Sequence, residues 1–191
     1  MLATAISILA SVGVTLELII IDQSSGEETA RHLGPLLRDE RVRYVRTPSV
    51  GVSRGRNVGL RLATHPLVLL TDDDVEVDKL WALHFMNAMM KHDHAAVGFC
   101  RVDDGQHDAR LGFVPDHVVE QEVLVTKLVS KARTRGIGAG MAVRRDMVLG
   151  FGGFDEVLGP GARLRSGEDR DLAARALGHG YSYCRPLTQS L

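Results

Sequence analysis

Short apolar runs alternate along the chain with segments whose apolar residues return at helical spacing. Leu2, Ile6 and Leu9 mark a first helical segment, and Gly13 breaks it before Leu18 to Ile21, a continuous apolar run with β-branched residues. A run of that kind predicts a strand buried on both faces. It ends at Asp22, after which Ser25-Gly26-Glu27-Glu28 has the form of a capping box ahead of Ala30, Leu33 and Leu37, so a helix is expected next.

The alternation continues with Val42 to Arg46 as a strand, Ser53 to Ala63 as a helix and Leu67 to Thr71 as a second fully apolar strand. Asp78 is placed to cap a helix through Met90, on which Trp81, Phe85 and Met89 recur as core positions. Ala95 to Val102 and Ile137 to Val143 read as strands separated by an irregular stretch from Asp103 to Arg135, and Gly150 to Gly167 is glycine-rich. Ser166 is expected to cap a helix from Glu168 to Leu177, ended by Gly178 and Gly180, with Tyr181 to Cys184 as a last strand. Strands alternating with helices, and built from apolar runs, predict an α/β fold with a mostly parallel central sheet flanked by helices. Ligands of such sheets sit outside the carboxyl ends of the strands. Two apolar strands end in aspartate, at Asp22 and Asp72, so both acids should project into one crevice.

Composition narrows the class. The 191 residues, 45% of them hydrophobic, suit one compact domain. A formal net charge of -1 leaves no global basic field, which argues against nucleic acid as a partner. Cys100 and Cys184 are far apart and outside any paired metal spacing, so they read as buried thiols of a cytosolic protein. The apolar start from Met1 to Ala10 has no basic leader, and no uncharged apolar run reaches the ~18 residues of a membrane span. A cytoplasmic setting is expected, in solution or peripheral at a membrane.

The candidate chemistry begins at Leu67-Val68-Leu69-Leu70-Thr71-Asp72-Asp73-Asp74, where three carboxylates crowd the end of a buried strand. Like charges that close repel unless a cation or several donors compensate. A hard divalent cation, Mg²⁺ or Mn²⁺, takes carboxylate oxygens and completes its shell with substrate phosphates and water. A solvated turn, or an acidic cluster favouring the next helix N-terminus, explains the triplet equally well on its own. Gly51-Val52-Ser53-Arg54-Gly55-Arg56-Asn57-Val58-Gly59 adds a helix N-terminus and two arginines, both suited to phosphate, though alone it reads as a glycine-rich turn with surface arginines.

Taken in order, Glu17-Leu18-Ile19-Ile20-Ile21-Asp22-Gln23-Ser24, Gly51 to Gly59, Asp72-Asp73-Asp74, Gly152-Gly153-Phe154-Asp155-Glu156 and Gly167-Glu168-Asp169 resemble the family 2 glycosyltransferases over nearly the whole chain. The resemblance implies a Rossmann-like GT-A domain and inverting transfer of a sugar from a nucleotide-diphosphate donor to an acceptor hydroxyl. The resemblance leaves the acceptor open among carbohydrate, lipid-linked and small-molecule acceptors. By the same resemblance Asp22 reads the nucleobase, Arg56 lies in the helix that faces the nucleotide, and Asp72 and Asp73 belong to the donor site. Asp72 and Asp74 correspond to the two acids that hold the metal, and Asp169 to the catalytic base. Glu168 and Gly140 correspond to the acceptor side, Gly140 standing where many relatives carry a polar residue. The halves divide as residues 1–102 for the donor and 103–191 for the acceptor. A Ser166-Gly167-Glu168-Asp169 capping box is the competing reading of Asp169.

The resemblance is incomplete at the start. Family members begin with an apolar strand before the helix that Leu2 to Ala10 matches, and no such strand is present here, which implies a start upstream or a fragment. Two other readings follow: a nucleotide-binding module impaired in turnover, and a nucleotidyltransferase of similar architecture. His84, His92 and His94 follow an apolar helix without a supporting carboxylate pattern and read as surface or helix-end residues. Gly136-Ile137-Gly138-Ala139-Gly140 lacks dinucleotide-fingerprint spacing and reads as a close backbone approach near the acceptor side.

Overall fold

A computed structural model describes residues 1–105, 110, 116–129 and 135–186. In chain order its elements are α1 (Leu2–Leu9), β1 (Leu18–Asp22), α2 (Glu28–Leu33), β2 (Val42–Arg46), α3 (Val52–Leu62), β3 (Leu67–Leu70), α4 (Trp81–Lys91), β4 (Ala95–Phe99), β5 (Val123–Val125), β6 (Met141–Arg144), α5 (Arg145–Gly150), α6 (Glu168–Gly178) and β7 (Ser182–Arg185). No helix among these residues is long and apolar enough to cross a membrane.

The α/β class expected from the pattern is present, and the sheet is partly parallel. β1 pairs with β2 in parallel, and β4 with β7 in parallel, whereas β6 runs antiparallel between β3 and β4 and β5 runs antiparallel to β7. The strands form a two-stranded sheet, β1-β2, and a five-stranded sheet in the order β3-β6-β4-β7-β5. An apolar run states burial on both faces but carries no direction, so the antiparallel entry of β6 is not readable from its composition.

The core lies on both faces of the larger sheet. One face packs Leu60 of α3, Val148 of α5 and Leu172, Ala173 and Ala176 of α6 against Val97, Phe99, Met141, Val143 and Tyr183. The other packs Trp81, Phe85 and Met89 of α4 against Ala95, Ala142 and Cys184. Both cysteines are buried thiols, and burial pushes the Cys184 thiol up to about 12.

Several expected helix starts differ. No side-chain cap bond forms at α2, whose N-cap position is Glu27, or at α6, where Gly167 at φ 100 takes that place. α2 then stops at Gly34 and continues only as a 3₁₀ turn through Pro35, because proline denies the ladder its N–H. Asp78 accepts a hydrogen bond from Leu80 N at 2.8 Å, ahead of α4 rather than inside its first turn. The irregular stretch from Asp103 to Arg135 lies partly outside the described residues; within them it holds β5 and a bridge between Val102 and His117.

Candidate active site

β1 and β3 end on the same side of the molecule, and α3 is what joins their ends. Gln23, the residue after β1, lies against Gly55, while Asp72, just past β3, meets Arg56. A cavity of about 1590 Å³ opens there, lined by Asp22, Arg56, Asp72, Asp73, Asp74, Gly138, Glu168 and Asp169 among others. It runs back from the acids between Leu18 to Ile21 and Leu67 to Leu70.

Arg56 is the hub. Its Nη1 donates to Asp169 Oδ1 at 2.8 Å and reaches Glu168 Oε1 at 3.4 Å, and its Nη2 meets Asp72 Oδ1 at 3.3 Å. The guanidinium lies 5.5 Å from the centroid of the Phe154 ring, a cation–π contact in a largely desolvated setting. Its side chain is 10% exposed against 48% for Asp72, so the Asp72 carboxylate faces open cavity while the guanidinium does not.

Asp169 sits at the start of α6 but does not serve as that helix's cap. One carboxylate oxygen takes Arg56 and the other accepts Gly138 N at 2.9 Å, both tertiary partners. The capping-box reading of Ser166 to Asp169 is therefore not realised. Burial pushes the carboxyl up to about 6, with the neighbouring Glu168 charge in the same direction, against the Arg56 charge and the Gly138 hydrogen bond. A carboxylate has about four acceptor directions, so two remain for another donor.

Asp22 is buried at the far wall. Burial pushes its carboxyl up, but hydrogen bonds from Tyr44 Oη, from Ser24 N at 2.8 Å and from Ser24 Oγ at 3.0 Å leave it below the usual range. Asp73 also lines the cavity, and its carbonyl accepts Thr4 Oγ1 at 2.8 Å. Glu168 is buried with its side chain against Gly159.

Gly140, expected on the acceptor side, follows directly on the cavity-lining Gly138 and Ala139. It is buried, and its carbonyl accepts Cys100 N at 2.9 Å. The close approach expected of this glycine stretch is real: a Cβ on Gly138 would stand 2.0 Å from Arg56 Nη2, and one on Gly136 2.1 Å from Phe99 Cγ.

Two further residues shape the site. Asn57 donates from Nδ2 to the Phe154 carbonyl at 2.9 Å and accepts Phe154 N at 2.8 Å. Ser53 Oγ donates to the Leu158 carbonyl at 2.7 Å. Both are buried on the α3 face that also carries Leu60, and together they pin the glycine-rich loop that holds Phe154 beside Arg56. Polar residues at i and i+4 on the apolar face of a helix are the sequence signal for them.

Asp72 and Asp74 suit a hard cation, because Mg²⁺ and Mn²⁺ accept one or two carboxylates and fill the remaining positions with phosphate oxygens and water. No cluster of three or more His, Cys, Asp or Glu able to hold a metal occurs among the described residues.

The sequence model of the family described as Glycosyl transferase family 2 matches residues 2–148. No curated protein sequence matches. Among solved structures, the mannosyltransferase PcManGT from Pyrobaculum calidifontis, in complex with GDP-Man and Mn²⁺, is 16% identical with a TM-score of 0.69, covering 98% of this chain and 50% of that one. TarS 1-349 of S. aureus is 15% identical with a TM-score of 0.70, covering 96% and 53%. GalNAc-T7 with UDP, GalNAc and Mn²⁺ is 17% identical with a TM-score of 0.58, covering 89% and 36%. The chain thus shares the GT-A fold with these proteins and spans about half the length of the first two.

Proposed function

The chain belongs to glycosyl transferase family 2, and from that premise we propose that it transfers a sugar from a nucleotide-diphosphate donor to an acceptor hydroxyl with inversion, assisted by Mg²⁺ or Mn²⁺. The observation that carries this reading is the single guanidinium of Arg56, bonded at once to Asp72 at the end of β3 and to Asp169 at the start of α6. It puts a carboxylate suited to a metal-bound diphosphate beside one suited to proton abstraction.

Residues 1–102 hold the donor and 103–191 shape the acceptor side. Asp22, at the wall formed by β1, takes the nucleobase, while Arg56, Asp72 and Asp73 border the sugar-diphosphate. Asp72 and Asp74 hold the cation, which when bound offsets charge on the departing diphosphate. Asp169 is ionised at neutral pH because its carboxyl titrates at about 6. One of its remaining lone pairs accepts the acceptor hydroxyl proton as that oxygen attacks the anomeric carbon from the face opposite the leaving diphosphate. Arg56 and Gly138 N–H fix the carboxylate's orientation, so little rotational freedom is lost in the transition state. Glu168 lies toward the acceptor, with Gly140 behind that wall. A cytoplasmic setting, in solution or peripheral at a membrane, belongs to the same reading.

Incubation with UDP-, GDP- and dTDP-sugars, with Mn²⁺ and with chelator, tests the reading. Cation-dependent release of nucleoside diphosphate with the sugar on an acceptor is the expected result. Binding without release would indicate a nucleotide-binding module, and pyrophosphate release from a nucleoside triphosphate would indicate a nucleotidyltransferase.

A further inference from the structure

Tyr183 stands inside the five-stranded sheet, on β7, paired with Val97 of β4 on one side and Val125 of β5 on the other. Its ring is fully buried on the face covered by α6 and meets the Phe99 ring edge-on, at a centroid distance of 5.7 Å. Leucine or phenylalanine would fill that space without a polar atom, so packing alone does not explain the hydroxyl.

The hydroxyl both donates and accepts. Tyr183 Oη donates to the Arg135 carbonyl at 2.8 Å and accepts Arg135 N at 3.2 Å. An extended residue turns its own N–H and C=O to one side, so a single hydroxyl can hold both. Burial pushes the phenol up to about 12, so it stays protonated and keeps donating at neutral pH.

Arg135 opens the stretch that reaches Asp169. The next residue, Gly136, lies on the Phe99 ring, where an added Cβ would stand 2.1 Å from Cγ. Ile137 is extended, at φ -125 and ψ 147, and carries the chain to Gly138, whose N–H donates to Asp169 Oδ2 at 2.9 Å. Just beyond, the Gly140 carbonyl accepts Cys100 N at 2.9 Å. The Gly138 amide is thus held between two anchors, one past the end of β4 and the other on the Tyr183 hydroxyl.

That amide decides which lone pairs of Asp169 stay open. Arg56 Nη1 takes Oδ1 and Gly138 N–H takes Oδ2. A carboxylate held at one oxygen can still turn about its Cβ–Cγ bond, whereas one held at both presents its free lone pairs in one direction. Arg56 of α3 and the neighbouring Glu168 are the charged groups acting on it, the first favouring ionisation and the second opposing it.

We infer that the Tyr183 hydroxyl is a positioning group for sugar transfer: by clamping Arg135 it aims Gly138 N–H at Asp169 and fixes the direction in which that carboxylate accepts a proton. It acts through main chain and touches no reacting atom. The role rests on Asp169 being the base proposed above.

Tyr183→Phe keeps the ring beside Phe99 and removes only the oxygen. Its kcat should fall about 10- to 100-fold, while donor KM and Mn²⁺-dependent affinity for the nucleoside diphosphate stay within about twofold. Loss of the Gly138 bond removes a donor that favours the ionised carboxylate, so the acid limb of kcat should move to higher pH. The Asp169 carboxyl resonance, followed by NMR in the nucleotide-free protein, should titrate at higher pH as well. Leu33→Ala, at a buried position of α2, is the stability control and should lower Tm without moving either the limb or the titration. A Tyr183→Phe protein with the parent's kcat, acid limb and Asp169 titration would reduce the hydroxyl to a satisfied core group and overturn the proposal, whatever its Tm. So would a fall in kcat that Leu33→Ala reproduces, with limb and titration unmoved. Asp169→Asn, assayed alongside, separates the two claims. If it loses transfer by about 100-fold or more while Tyr183→Phe changes nothing, the base stands and the positioning role alone fails. If it transfers within about tenfold of the parent, both fail.

Discussion

Arg56 Nη1 lies 2.8 Å from Asp169 Oδ1 while Nη2 of the same guanidinium meets Asp72 at 3.3 Å, so one side chain of α3 links the proposed base to the proposed metal-binding strand end. Glu168 and Asp169 are consecutive acids, both largely buried, and Arg56 is the cation paired with them. Arg56→Ala should raise the Asp169 carboxyl further and move the acid limb of the transfer profile to higher pH. Leaving buried carboxylates unpaired should also cost on the order of 3 kcal/mol. Arg56→Lys should recover part of the stability but not the profile, because an ammonium cannot reproduce the fork. Denaturant unfolding and a pH-rate profile on both variants check this; an unmoved acid limb would count against the link.

The glycines at 136 and 138 separate packing from chemistry. Gly136→Ala drives a methyl into Phe99, a buried core ring, and should cost about 1–3 kcal/mol of stability. Gly138→Ala drives it into the Arg56 guanidinium, the far end of a long side chain, and should displace the group that orients Asp169. Transfer should fall about 100-fold with a smaller change in Tm. The reverse ranking would show that Arg56 is not held by this contact.

Most strands were legible in the sequence because uninterrupted apolar runs mark burial. β2 from Val42 to Arg46 matches its expected bounds, and β1 and β3 differ by one residue. β5 is only Val123–Val125, too short to show periodicity, and α5 lies between a strand and a glycine-rich loop that mask it. The carboxylates of the site were legible as strand-end and helix-start acids. What holds them was less so: the position of Asn57 on the α3 face shared with Ser53 and Leu60 signals burial, but not its partner Phe154, distant in sequence and bonded to it on both its N–H and its C=O. Glu27 and Gly167 took the cap positions expected of serines, since the backbone there is set by tertiary placement rather than local preference.

At the acidic triplet, β3 has already ended at Leu70 and Asp73 and Asp74 form a turn, so the proposed cation role of Asp72 and Asp74 rests on their place in the donor site and not on strand alternation. Asp74→Asn should weaken cation-dependent binding of a nucleoside diphosphate by about tenfold or more, and Asp73→Asn by less. Calorimetric titration of UDP and GDP with Mn²⁺ and with chelator reads both, and a larger effect at Asp73 would reverse the assignment.

The pH dependence follows from the direction of the Asp169 shift. Its carboxyl rises from 3.8 to about 6 on folding, so the folded state holds its proton more tightly than the unfolded state. The stability this contributes is fully present below about pH 4 and is lost as pH rises through about 6. Transfer runs the other way, rising through about pH 6 as the base ionises. Asp169→Asn should flatten the stability curve between those values, and identical slopes for parent and variant would show that Asp169 does not titrate there.

Replacing the Asp169 carboxylate by an amide of the same shape tests the central claim most directly. Asp169→Asn keeps a hydrogen-bonding side chain beside Arg56 and Gly138 but cannot take a proton at neutral pH. Donor affinity by calorimetry should stay within a few-fold of the parent, while the transfer rate should drop by about 10² to 10⁴. A variant that transfers sugar within about tenfold of the parent, while melting at a lower temperature, would make Asp169 a structural partner of Arg56 and contradict its role as the base.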